Sequence, residues 1–166
     1  PSDVEKINSF NPCMLFKCIK NEVELDNIRK SHIKDGVAMT KFMYWLKTNI
    51  GKIYMDEVSV DEQLLKFRQE QDGFIEPSFN TIAGYKEHAA MMHYSANEES
   101  NYRLEPKDLF LVDSGGQYFD GTTDITRTMA LGPIPENVRR DFTNVVRGMI
   151  RLSKAKFLHG CRGYNL

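Results

Sequence analysis

Apolar residues first fall into helical spacing after Asn21. Asn21 is a favourable N-cap, and Glu24 three residues on can return a hydrogen bond to the cap's own N–H, a capping-box pattern. Leu25, Ile28, Met39, Met43, Leu46 and Ile50 keep to one stripe, with His32 and Gly36 inside it and Gly51 as a stop. A mid-helix glycine costs about 1 kcal/mol against alanine, so Gly36 predicts a break or a close packing contact. Ser59 with Glu62 repeats the capping-box pattern and predicts a shorter helix through Leu64, Leu65 and Phe67, ending near Gly73. Upstream, Pro1 to Lys20 reads as an extended lead-in carrying Pro12 and the apolar cluster Met14-Leu15-Phe16.

From Phe74 to Met92 the pattern changes to short apolar pieces separated by Pro77, Asn80-Thr81 and Gly84, which suits strands and turns. Met91-Met92-His93-Tyr94 reads as one such strand, followed by a polar loop from Ser95 to Asn101. Leu109 to Val112 is an apolar run suited to a strand buried on both faces. Asp120-Gly121 is a hairpin-turn signal, and Thr122 to Leu131 alternates as a returning strand does. Pro135 marks a helix start, and Phe142, Val145, Val146, Met149 and Leu152 form its apolar stripe. The order of elements predicts an α+β fold, an antiparallel sheet covered by helices.

Charge removes several classes of partner. Lys plus Arg number 22 and Asp plus Glu 23, a formal charge of −1, so neither nucleic acid nor an anionic membrane is expected as an obligatory partner. The basic positions Arg140, Arg147, Arg151 and Lys154 lie opposite an apolar stripe and read as a solvated helix face. No apolar run is long enough to cross a bilayer. Three cysteines without a CxxC pair, and no secretory signal, set the expectation of a reducing, cytoplasmic compartment. No phosphate-binding glycine loop, serine nucleophile elbow or HExxH is present.

The hairpin carries the candidate chemistry. Asp113 closes the apolar strand and Asp124 lies on the returning one. With Tyr118 to Gly121 as the loop, Gln117 opposes Thr122, and paired residue numbers add to 239. Asp124 then faces Gly115, on the strand face of Asp113 and two residues from it, roughly 7 Å. A bulge at Gly115-Gly116 closes that gap further. Two such carboxylates repel unless a cation lies between them, and oxygen donors of this kind suit hard ions such as Mg²⁺ or Mn²⁺. The competing arrangement has one aspartate capping a turn and the other paired with Arg127 or hydrogen-bonded to neighbouring threonines. His93, 20 residues before Asp113, is either a substrate-binding or proton-transfer imidazole or a hydrogen-bonded core histidine.

The run from Leu111 to Thr128, with DSGGQY and DGTTDITRT inside it, closely resembles the signature of the Xaa-Pro aminopeptidases, dinuclear metallopeptidases of the pita-bread fold. The resemblance extends to Met92 through Asn97 and to the helix from Asn21 through Val37. It implies that Asp113 and Asp124 are metal ligands and that His93 binds substrate and transfers protons. It also implies two divalent metal ions, Mn²⁺ in the usual case, and a peptide substrate with proline at its second position. A hydroxide bridging the metals then attacks the scissile carbonyl. A full-length homodimer is expected. The family's histidine ligand, a further histidine and both glutamate ligands find no match before Leu166. The chain is accordingly read as the first half of the pita-bread domain, residues 21–166, behind a lead-in at 1–20, with weak or no metal binding and no activity by itself. A non-catalytic peptide- or protein-binding module and an Xaa-Pro dipeptidase are the alternatives.

Overall fold

In the computed structural model, which describes residue 4 and residues 7–165, the long helix begins where its cap predicts. Helix α1 spans Pro12–Cys18 and helix α2 spans Glu22–Asn49. Glu24 N–H donates to Asn21 Oδ1 at 2.9 Å, and Asn21 N–H donates to Glu24 Oε2 at 3.0 Å, closing the capping box. The lead-in is not extended throughout. Pro12 fits the first turn of α1, where its missing N–H is not needed, and Asn11 Oδ1 accepts from Cys13 N–H.

α2 runs unbroken through Gly36, and nothing stands within 4 Å of where a Cβ there would lie. Neither the break nor the close contact expected at this glycine occurs. The buried face of α2 is Ser31, Asp35, Ala38, Met39, Phe42 and Leu46. It is rotated from the predicted stripe because its first half serves a polar network and only its second half the apolar core.

Helix α3 spans Glu57–Gln69 and starts from Asp56, not from Ser59. Asp56 Oδ1 accepts from Ser59 N–H at 2.7 Å, and Ser59 Oγ accepts from Asp56 N–H at 2.9 Å. Starting three residues early leaves Glu57 in the first turn, where its side chain turns inside at 0% exposure.

Six strands follow, all paired antiparallel: β1 Phe74–Pro77, β2 Ile82–Tyr85, β3 Leu109–Ser114, β4 Gly116–Tyr118, β5 Gly121–Thr122 and β6 Ile125–Ala130. They form two small sheets, in the orders β2-β3-β6 and β1-β4-β5. Every β3–β6 and β4–β5 pair adds to 239, from Leu109↔Ala130 to Tyr118↔Gly121. The predicted register therefore holds on both sides of a bend, although the loop is tighter than expected, with only Phe119 and Asp120 between paired residues.

Phe110 and Val112 of β3 pack with Phe42 and Leu46 of α2 and Val60 and Leu64 of α3 in one core. Leu109, Leu111 and Asp113 alternate with them and remain half-buried, so β3 is covered fully on one face and not on both. Helix α4, Glu136–Ser153, carries the predicted stripe but buries none of its residues; Val145 is 72% exposed.

Beneath the bend, Arg68 of α3 joins three elements. Its Nε lies 2.7 Å from Asp35 Oδ1, its Nη1 donates to Ser114 Oγ, and Tyr118 Oη donates to Asp35 Oδ1 at 3.0 Å. Breaking a buried pair of this kind costs about 3–5 kcal/mol, because the surviving charge has no partner. Burial, reinforced by Asp35, also pushes the Tyr118 phenol well above its ordinary range.

Candidate metal centre

The bend is made where one hairpin passes from one sheet to the other. At Gly116 and Thr123 the ladder is half kept: Thr123 N–H donates to Gly116 O at 2.9 Å, while Gly116 N–H donates to the Thr123 hydroxyl at 2.9 Å. The hydroxyl stands in for the Thr123 carbonyl, which turns away and accepts from Ser78 Oγ at 2.9 Å. Ser78 N–H in turn donates to Gly115 O at 3.1 Å. A Cβ at Gly115 would collide with Thr123 O and Ser78 Oγ, so only glycine permits this crossing. No residue is inserted, since the register is the same on either side; the predicted bulge is instead an interruption of the ladder.

That interruption governs the two aspartates. Asp113 pairs with Thr126, and the register sets Asp124 against Gly115, diagonal to Asp113. Asp113 belongs to the face away from Phe110, Val112 and Ser114, the face that the helices α2 and α3 leave open, and Asp124 lies just before β6. Asp124 is exposed, whereas Asp113 is half-buried. Asp113 Oδ1 is shielded from solvent and has no hydrogen-bond partner. A buried acceptor without a donor costs about 1–3 kcal/mol. Among the described residues neither aspartate forms an ion pair, and Arg127 Nη1 donates to Thr126 O at 2.7 Å instead. The competing arrangement, with Arg127 neutralising a carboxylate, is not what the chain does.

An orphaned carboxylate oxygen, with a second aspartate diagonal to it in the register, fits a hard divalent cation. The fit is partial. Among the described residues no group of three or more His, Cys, Asp or Glu side chains converges as a metal cluster, so Asp113 and Asp124 would supply only part of a coordination shell.

His93 does not lie on a strand. After β2 the chain makes a 3-10 helix at Lys86–Ala90, and His93 sits in the exposed turn that follows, with φ of +58°. Among the described residues it makes no hydrogen bond to Asp113 or Asp124. Strand pairing is defeated because residues on both sides of it are held by Glu57. This buried carboxylate accepts from Tyr94 Oη at 2.7 Å and from Tyr102 N–H at 2.9 Å. His88 has its Nδ1 2.9 Å from Glu57 Oε1. Burial, with Glu57 adding to it, pushes the Tyr94 phenol up to about 12. Neither this carboxylate nor the Asp35–Arg68 pair stood out in the sequence; the available signal was a charged residue inside an apolar helical stripe. His32 remains on the surface, its Nδ1 2.8 Å from Ile28 O.

The chain is thus an antiparallel α+β frame whose hairpin bends beside a carboxylate oxygen without a donor. Comparison with known proteins gives the family. Residues 26–166 match the model of metallopeptidase family M24, and the chain belongs to that family. It is 42% identical over 157 residues to Aminopeptidase P2 of Arabidopsis thaliana, covering 94% of this chain and 22% of that protein. To Xaa-Pro aminopeptidase 2 of Homo sapiens it is 39% identical over 157 residues, covering 95% of this chain and 23% of the relative. Among solved structures, the X-prolyl aminopeptidase of Caenorhabditis elegans, described as a cytosolic enzyme with a di-nuclear active site, superposes with a TM-score of 0.81. It shares 34% identity over 90% of this chain and 25% of its own. The chain thus spans about a quarter of the length of these relatives. The expected α+β pita-bread class agrees with these neighbours.

Proposed function

We propose that these residues are part of a dinuclear metal aminopeptidase that removes an N-terminal residue preceding proline. The observation that supports this most directly is the buried, unpartnered Asp113 Oδ1 on the bend, in a chain of the M24 family. Asp113 and Asp124 would help hold two divalent ions, Mn²⁺ being our choice, by contributing negative charge. When bound, such ions polarise a peptide carbonyl and lower the pKa of water to near neutrality. Asp113, set in the β3 ladder, gives the ions a rigid side, while exposed Asp124 can adjust to them. His93 reaches the scissile peptide from its exposed turn and there holds or passes a proton. Proline has no N–H, so a site for Xaa-Pro bonds must recognise the ring and the free amino terminus of the substrate instead. The relative described as cytosolic supports a cytosolic setting, and we expect a homodimer.

The test uses the complete gene product containing these residues, with Mn²⁺ and two substrates, an Xaa-Pro-Xaa tripeptide and an Xaa-Pro dipeptide. The tripeptide is expected to lose its first residue, and Asp113→Ala to lower kcat/KM by about a thousandfold. Preference for the dipeptide would make the protein a dipeptidase. Undiminished turnover by Asp113→Ala, or no cleavage before proline, would refute the proposal.

A further inference from the structure

We propose that Glu57 is a positioning residue for His93, its buried carboxylate clamping both sides of the turn that presents this imidazole. The functional part of this inference rests on the reading of His93 given above; the clamp rests on geometry alone.

Glu57 is 0% exposed at the first turn of α3, where the helix N-terminus favours negative charge. Oε1 accepts from Tyr85 N–H at 2.7 Å. His88 Nδ1 lies 2.9 Å from Oε1 and 3.1 Å from Oε2. Oε2 accepts from Tyr94 Oη at 2.7 Å and from Tyr102 N–H at 2.9 Å. The His88 ring is stacked between two of these partners, with centroids 4.3 Å from Tyr94 and 3.8 Å from Tyr102.

Tyr85 is the last residue of β2, the other three partners belong to the segment between β2 and β3, and His93 lies inside that segment. The backbone bonds of its turn start from residues that Glu57 holds. Met91 N–H donates to His88 O at 3.1 Å, and Tyr94 N–H donates to Met91 O at 3.2 Å. His93 takes φ of +58° between them. A left-handed backbone costs a residue with a Cβ about 1–2 kcal/mol, and it persists only where its surroundings over-determine it. Here the surroundings converge on one carboxylate, with Ser100 O as a second acceptor 3.1 Å from Tyr94 Oη. A buried charge is an expensive way to fill space that an apolar side chain fills at less cost. A carboxylate, unlike an apolar group, sets the direction of each of four partners at once.

Two variants test the clamp. Tyr94→Phe removes the bond to Glu57, with the contacts to Ser100, and keeps the ring on His88; Glu57→Gln keeps the shape and puts an N–H₂ where an acceptor is needed. In the chain itself, amide hydrogen exchange at Met91 and Tyr94 should quicken about tenfold in both, with Val112 in the β3 ladder unchanged in Tyr94→Phe. In the complete gene product, kcat/KM for the Xaa-Pro tripeptide should fall about tenfold, and in a His93→Ala background the same changes should cost less than about twofold more. That non-additivity is what a general loss of stability does not produce. Unaltered exchange at Met91 and Tyr94, or losses that multiply in the His93→Ala background, would overturn the proposal. If exchange quickens but the wild-type protein cleaves no peptide before proline, the clamp stands and the role given to His93 is refuted.

Discussion

Glu57 and Asp113 are both carboxylates drawn out of water, and the chain treats them in opposite ways. Glu57 receives hydrogen bonds from Tyr85, His88, Tyr94 and Tyr102. Asp113 presents a solvent-shielded Oδ1 to no donor at all. The first carboxylate is accounted for by the fold, which it ties together. The second is a cost to the fold, and under the function proposed above a cation at the open face of the bend would offset it. Burial alone therefore does not mark a functional carboxylate; burial without a partner does.

The largest effect should come from destroying the bend under Asp113. Gly115→Ala puts a methyl group into Thr123 O and Ser78 Oγ, and a loss of more than about 4 kcal/mol is expected in urea unfolding. A variant that unfolds within about 1 kcal/mol of wild type would show that the crossing relaxes easily. Next comes the isosteric pair that sets the two carboxylates against each other. Glu57→Gln leaves donors facing an N–H₂ group and should cost about 2–3 kcal/mol. Asp113→Asn has no hydrogen bond at Oδ1 to lose, and stability should stay within about 1 kcal/mol of wild type or rise. Equal losses in the two would erase the distinction.

The smallest effect concerns Asp61, a third carboxylate that lies between these extremes. Burial holds it above the usual carboxylate range, more than the Thr81 hydrogen bond and Arg68 lower it. A raised value means that the folded chain keeps this proton longer than the unfolded chain does. Its contribution to stability is then present at acid pH and lost as pH rises through the raised value. Asp61→Asn should accordingly stabilise the chain at about pH 7 and give no gain at about pH 3, read as the difference between paired urea curves. A gain at acid pH instead would reverse the sign.

What the sequence made legible follows the range of the interactions involved. The Asn21–Glu24 cap and the hairpin register are settled by residues close in the chain, and both appear as expected. Ser59 lost its place as a cap to Asp56, an equally good capping residue three positions earlier that also bonds to it. Met91–Tyr94 has the composition of a strand but folds as a turn, because Glu57, far away in sequence, captures its neighbours. The same distance hid the Asp35–Arg68 pair, joined across 33 positions. The register that sets Asp124 against Gly115 was legible for the opposite reason: it needs only residues close in the chain.

Paramagnetic relaxation on the isotope-labelled chain during a Mn²⁺ titration addresses the metal assignment most directly. Broadening is predicted to start at Asp113, Ser114, Asp124 and Ile125, with weak affinity because two carboxylates are a small ligand set, and to vanish in Asp113→Asn. Broadening that begins instead at exposed acidic positions such as Glu98 and Glu99, or that survives in Asp113→Asn, would contradict the assignment of the bend as a metal site.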